Sequence, residues 1–218
     1  MQNTINKELT EEKKRAKKIF DILMGEYPEV KPALDFNSPF QLLIATILSA
    51  QCTDARVNIV TKELFKKYKT PNDYISVDQE VLEKDIYSTG FYKMKAKNIR
   101  NCCRVLIEKY EGKVPDNFDE LTKLPGVGRK TAAVVAGNAF GIPAVAVDTH
   151  VVRLSNLLGL VNTKNAVKIE QRLKELLPED YWINSTHYFM AHGRKVCIAR
   201  RPKCEECVLA VLCPSFNK

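Results

Sequence analysis

Four cysteines crowd one end of the chain, at Cys197, Cys204, Cys207 and Cys213, in the spacing Cys-x6-Cys-x2-Cys-x5-Cys. Four thiolates this close can ligate Zn²⁺ or an iron–sulfur cluster. Ligand chemistry alone leaves both open and leans to zinc, because structural four-cysteine zinc is widespread. A disulfide framework fits poorly. The chain has seven cysteines, an odd number, and Cys52, Cys102 and Cys103 lie in apolar helical patterns where a free thiol behaves as a small hydrophobe. Around the first ligand run five basic residues, Arg194, Lys195, Arg200, Arg201 and Lys203, with no acid among them. A solvated surface can carry such a run, but a metal-braced loop of one charge sign suits phosphate better.

A second group is Leu124-Pro125-Gly126-Val127-Gly128-Arg129-Lys130-Thr131-Ala132. Gly126 and Gly128 flank one apolar residue, so they permit a tight turn with positive φ and leave the backbone bare. N–H groups at the start of the following helix can then approach a phosphate, while Val127 plugs the turn into a core. This is the pattern of a helix-hairpin-helix, which grips a nucleic-acid backbone without reading sequence; a bare Gly-x-Gly would equally suit an ordinary αα-hairpin. Lys130 follows at once. Among 34 Lys and Arg, a given lysine is by composition a solvated charge or a phosphate contact. A nucleophilic lysine must lose its proton, which burial and neighbouring positive charge such as Arg129 promote. Asp148 is a third candidate, in Val145-Ala146-Val147-Asp148-Thr149-His150. It is well placed to cap a helix, and a capping carboxylate can still offer an oxygen for proton transfer or for stabilising a cationic sugar.

These residues need helices to place them. Ser38-Pro39-Phe40-Gln41 reads as a capping box with proline at the first helical position, and the apolar run Leu42 to Ala50 predicts a central buried helix. Thr10 with Glu11 and Glu12 predicts a helix start, with Ala16, Ile19, Phe20, Leu23 and Met24 on one face. Further helices are expected over 54–68, 76–87, 93–110, 119–123, 129–140, 149–158, 166–177, 185–192 and 204–212. Only 144–147 reads as extended, so the class is all-α. The net charge of +8 and pI near 9.1 favour a polyanionic partner, nucleic acid before membrane. There is no secretory signal or membrane span, and a cytoplasmic location, with the nucleoid if prokaryotic, is expected.

With the hairpin lysine and the later aspartate in place, the chain resembles the endonuclease III family of the helix-hairpin-helix DNA glycosylase superfamily. Ser38-Pro39-Phe40, Leu48-Ser49-Ala50-Gln51, Gly90-Phe91-Tyr92 and His192-Gly193-Arg194 with the cysteines beyond carry the resemblance as well. It implies two helical lobes with a DNA-binding cleft. One is a bundle over 32–142 with the hairpin at about 118–137; the other joins 1–31 to 143–218 and carries a [4Fe–4S] loop at 197–213, in place of zinc. It implies Lys130 and Asp148 as catalytic residues on opposite sides of one groove. It also implies a base-excision-repair glycosylase with abasic-site lyase activity, acting as a monomer on double-stranded DNA that contains damaged pyrimidines or abasic sites; the competing readings are a monofunctional glycosylase using water, with Lys130 only contacting phosphate, and a non-catalytic DNA-binding module. Gln51 would insert beside the orphaned base. The 88–92 loop would be a second wedge, with Phe91 where leucine is familiar and Thr89 where an aliphatic residue is; core packing is the competing role for Phe91. His150 would line the cleft, and His187 and His192 would hydrogen-bond within the fold.

Overall fold

The computed structural model describes residues 2–216, with side chains from Glu8 onward. Eleven α-helices and several short 3-10 turns account for its regular structure, and no strand occurs among the described residues. The helices are α1 (Gln2–Glu26), α2 (Pro39–Leu48), α3 (Asp54–Lys67), α4 (Pro71–Ser76), α5 (Gln79–Asp85), α6 (Tyr92–Tyr110), α7 (Phe118–Thr122), α8 (Arg129–Phe140), α9 (Thr149–Leu157), α10 (Ala166–Leu176) and α11 (Trp182–Lys195). The chain divides into two compact units. One is Pro32–Ile142; the other joins the residues up to Lys31 with those from Pro143 on.

In the Pro32–Ile142 unit, α2 forms because Ser38 caps it and Pro39 occupies its first turn. The Ser38 side chain accepts from the Gln41 amide at 3.2 Å. The reciprocal half of the expected box is shifted by one residue: Gln41 Oε1 accepts from the Asn37 amide at 2.8 Å. Every residue from Leu42 to Leu48 is buried, so α2 is apolar all round and packs against α3, α6 and α8. Each fully buried leucine contributes about 1.5–3 kcal/mol of transfer free energy.

The helix expected over 76–87 is α5, which is shorter, at Gln79–Asp85, and gives way to a 3-10 turn at Tyr87–Thr89; α4, over Pro71–Ser76, is a further helix before it. Thr70 starts α4 with a complete capping box to Asp73, and Arg100 on α6 ends it. The Arg100 guanidinium donates to the carbonyls of Tyr74 (3.1 Å), Ile75 (3.2 Å) and Val77, the groups that α4 leaves without intrahelical partners.

The other unit has its own core. Ala16, Ile19, Phe20 and Leu23 of α1 pack with Val151 and Leu154 of α9, Ile169 and Leu173 of α10, and Phe189 of α11. The rings of Phe20 and Phe189 lie 4.7 Å apart. α1 begins well before Thr10, at Gln2, because no glycine or proline interrupts 2–9 and Leu9 extends the apolar stripe onto this core. The residues 144–147 lie in no helix and pair with no strand; Thr186 donates its hydroxyl to the Ala146 carbonyl at 2.9 Å.

Candidate functional site

The hairpin is built from the core outward. Asn117 caps α7 by accepting from the amides of Asp119 and Glu120, and Leu121, Leu124 and Val127 are buried. The turn closes with the Val127 amide donating to the Leu124 carbonyl at 3.0 Å. The two glycines differ. Gly126 has φ 78°, and a Cβ there would lie 2.8 Å from Asn98 Cβ on α6, so both conformation and space require glycine. Gly128 has φ −87°, contrary to the positive φ that the sequence allowed it, with open space around its Cα. It stands as the N-cap of α8 with no side-chain cap, leaving the first turn of α8 exposed to an external anion.

Lys130 is the second residue of α8. It is exposed, and its side chain forms no hydrogen bond or salt bridge among the described residues. The Arg129 guanidinium lies 5.0 Å from the centre of the Phe118 ring.

Gln51 and Phe91 are in the same unit. Both adopt the left-handed region that non-glycine residues avoid, Gln51 at φ 52° and Phe91 at φ 47°. Gln51 is exposed and Phe91 is 65% exposed, so core packing is not the role of Phe91. Thr89, by contrast, is buried, with its hydroxyl bonded to the Ile86 carbonyl at 2.8 Å. It supports the loop and is not an exposed wedge.

Asp148, in the other unit, is the N-cap of α9, where Oδ1 accepts from the Val151 amide at 2.8 Å. It is half-buried. Burial holds His187 below the usual imidazole range, with the Asp148 carboxylate acting in the opposite direction. His150, the second residue of α9, is packed onto α11: a Cβ at Gly193 would meet its Nδ1 at 2.5 Å and Arg153 Nη2 at 2.9 Å. Gly193 is therefore the contact that lets α9 and α11 approach.

Arg153 was not singled out by sequence because it falls off the apolar stripe of α9. Its guanidinium donates to the carbonyls of Gly193 (3.1 Å) and Cys197 (2.6 Å), joining α11 to the first of the four cysteines.

All four cysteines line one cavity of about 170 Å³, together with His192 and apolar residues of α9. The segment is shaped by backbone turns: Cys197 N–H to His192 O, Cys207 N–H to Cys204 O and Cys213 N–H to Ala210 O. The helix expected over 204–212 is replaced by two 3-10 turns, Cys204–Glu206 and Ala210–Leu212, because the chain bends at each cysteine to face the cavity.

Four cysteines lining one cavity are a donor set that fits an iron–sulfur cluster with one thiolate per iron. Burial pushes the Cys197 and Cys207 thiols up, the Arg153 guanidinium opposing this at Cys197. Such groups need a cation to hold them as thiolates.

His192 is buried, which holds it down to about 4. Its Nδ1 meets the Tyr27 hydroxyl at 3.0 Å and its Nε2 lies 3.4 Å from Cys207 Sγ. The expectation of an internally bonded His192 holds, and one of its two partners is among the four cysteines, which no sequence spacing signalled. Arg194, Lys195, Arg200, Arg201 and Lys203 are all exposed. Lys195 sits 5.2 Å from the centre of the Tyr27 ring, and Lys203 pairs with Glu206 at 3.4 Å.

Comparison with known proteins matches residues 44–179 to the HhH-GPD superfamily of base excision DNA repair proteins, and residues 197–213 to the iron-sulfur binding domain of endonuclease III. An endonuclease III from Synechocystis is 49% identical over 98% of both chains. The chain belongs to the endonuclease III family. Two solved endonuclease III structures, a non-covalent DNA complex and a trapped covalent DNA intermediate with an estranged adenine, each match with TM-score 0.90. Each is 48% identical, over 94% of this chain and 96% of the other. With the iron-sulfur binding domain of endonuclease III matched over residues 197–213, the cofactor of this chain is a [4Fe–4S] cluster.

Proposed function

We propose that this chain is a bifunctional glycosylase and abasic-site lyase that removes oxidised pyrimidines from duplex DNA, with Lys130 as nucleophile and Asp148 as its carboxylate partner. The observation that carries this reading is the exposed amine at the first turn of α8, directly behind the uncapped hairpin. It stands in a chain 48% identical to one captured as a covalent DNA intermediate. The Lys130 nitrogen bonds to C1′ of the damaged nucleotide as the C1′–base bond breaks, its electron pair and a proton leaving with the base. Asp148 takes the proton released by the nitrogen, or stabilises positive charge as it develops on the sugar. Opening of the sugar ring gives an imine to C1′. Loss of a C2′ proton then expels the 3′ phosphate and cuts the strand. Gly126, Val127, Gly128 and Arg129 hold the backbone of the damaged strand. His150, Arg194, Lys195, Arg200, Arg201 and Lys203 add contacts, and Gln51 and Phe91 fill the space left by the displaced nucleotide. Cys197, Cys204, Cys207 and Cys213 ligate the cluster, which has a structural role.

Borohydride added during incubation with thymine-glycol duplex should trap a covalent adduct, and Lys130→Gln should abolish it; an adduct that persists in K130Q removes Lys130 from this role. Asp148→Asn separates capping from chemistry, because asparagine is also a good N-cap. Base release should fall by about 10²–10⁴ while the melting temperature and DNA affinity hold. Uracil, thymine-glycol and abasic substrates compared side by side define the lesion class.

A further inference from the structure

Lys95 lies one turn into α6 and is 4% exposed, an unusual place for an ammonium group. It is neither paired with a carboxylate nor directed to solvent. Its Nζ donates to the Leu48 carbonyl at 2.8 Å and to the Thr89 carbonyl at 2.7 Å. Leu48 is the last residue of α2, whose C-terminal carbonyls lack intrahelical partners and carry the negative end of the helix dipole. Thr89 ends the 3-10 turn that leads into Gly90 and Phe91.

The two carbonyls thus stand just before the two exposed residues held in left-handed conformations, Gln51 and Phe91. Elsewhere among the described residues only Glu111, a helix C-cap, shows a non-glycine φ of this kind. The Lys95 amide adds a third tie, donating to the Phe91 carbonyl at 3.0 Å. Around the second loop, Tyr87, Phe91 and Met94 are each more than half exposed, which makes it an apolar prominence.

We propose that Lys95 is a positioning residue that fastens the Gln51 and Phe91 loops to one another, fixing the separation at which both side chains enter the opened duplex. Strained, exposed conformations persist only where the surroundings over-determine them, and one buried cation bonded to both loop bases supplies that constraint. With both loops fixed in advance, opening the duplex incurs no further ordering of the protein. The inference rests on the reading of the chain as a DNA glycosylase, since enzymes acting on a base inside a duplex must displace it.

Lys95→Met keeps the length of the side chain and removes its donors. Single-turnover release of thymine glycol from a fully paired duplex should fall by about 10- to 100-fold, while release from the same lesion in a short unpaired bubble stays within about threefold of wild type. In a Gln51→Ala, Phe91→Ala background, K95M should add almost nothing, because its effect passes through those side chains. If K95M does not fold, Lys95→Gln, which keeps an amide donor, carries the same comparisons. Equal losses on paired and bubble substrates, no loss on either, or additive loss in the double-alanine background would overturn the proposal. Wild-type adduct formation on the same duplex separates this outcome from failure of the glycosylase reading itself.

Discussion

The hairpin and the cysteine segment both turn backbone and positive charge toward solvent, yet they are held by different means. Around the hairpin, Leu121, Leu124, Val127 and Ala132 are buried, and Gly126 is pressed against Asn98. Its shape is a by-product of an apolar core. Among residues 197–216 only Leu209 is buried. There, short backbone turns, the Arg153 bonds and the cavity lined by four cysteines take the place of a core. One element is organised by its own apolar core; the other, on the proposed ligation by its four cysteines, would be organised by the cluster.

Removing the iron should show the contrast at full size. Amide protons of Lys203, Cys207, Ala210 and Cys213 should lose nearly all protection from hydrogen exchange, whereas those of α8 keep theirs; equal loss in both places would erase the distinction. Gly126→Ala attacks the self-organised element and should cost about 2–4 kcal/mol of stability by urea denaturation, from the positive φ and the contact with Asn98 combined. Arg200→Ala and Arg201→Ala should leave stability intact, weaken binding to all DNA sequences alike, and each lower the salt dependence of affinity by about one unit. The smallest change is expected from Gly128→Ala. It should cost under about 1 kcal/mol of stability, because its φ is ordinary and its surroundings are open, yet it should weaken DNA binding through the added methyl. A large loss of stability there would mean that both glycines shape the turn.

The legible parts of this sequence were those governed by local chemistry. The caps at Ser38 and Asp148, the start of α8 at Arg129 and the apolar run of α2 are all short-range effects. What escaped depends on distant partners. Lys95 reads as surface until α2 and the 87–89 turn present carbonyls to it. Helix α4 is only six residues long and is closed by Arg100 from another helix, so its own periodicity is too short to signal it. Tyr27, His192 and Cys207 come together from three stretches of chain with no shared motif. The 204–212 stretch followed helical periodicity but obeys the geometry of its cysteines. Phe91 was ambiguous because an aromatic beside a glycine suits a core as well as a protrusion, and only its exposure decides.

The unit joining α1 to the residues beyond Pro143 has a consequence for synthesis. Arg15 donates to the carbonyls of Leu158 and, at 3.0 Å, Leu212, while Ile19, Phe20 and Leu23 pack on helices made far later. On the ribosome the Pro32–Ile142 unit has all its partners as soon as it emerges. Helix α1 does not: its apolar face must wait, uncovered, until α9 to α11 have been translated. Nascent chains of this protein should therefore be held by chaperones at α1, and a cluster held by all four cysteines could be inserted only after translation has passed Cys213.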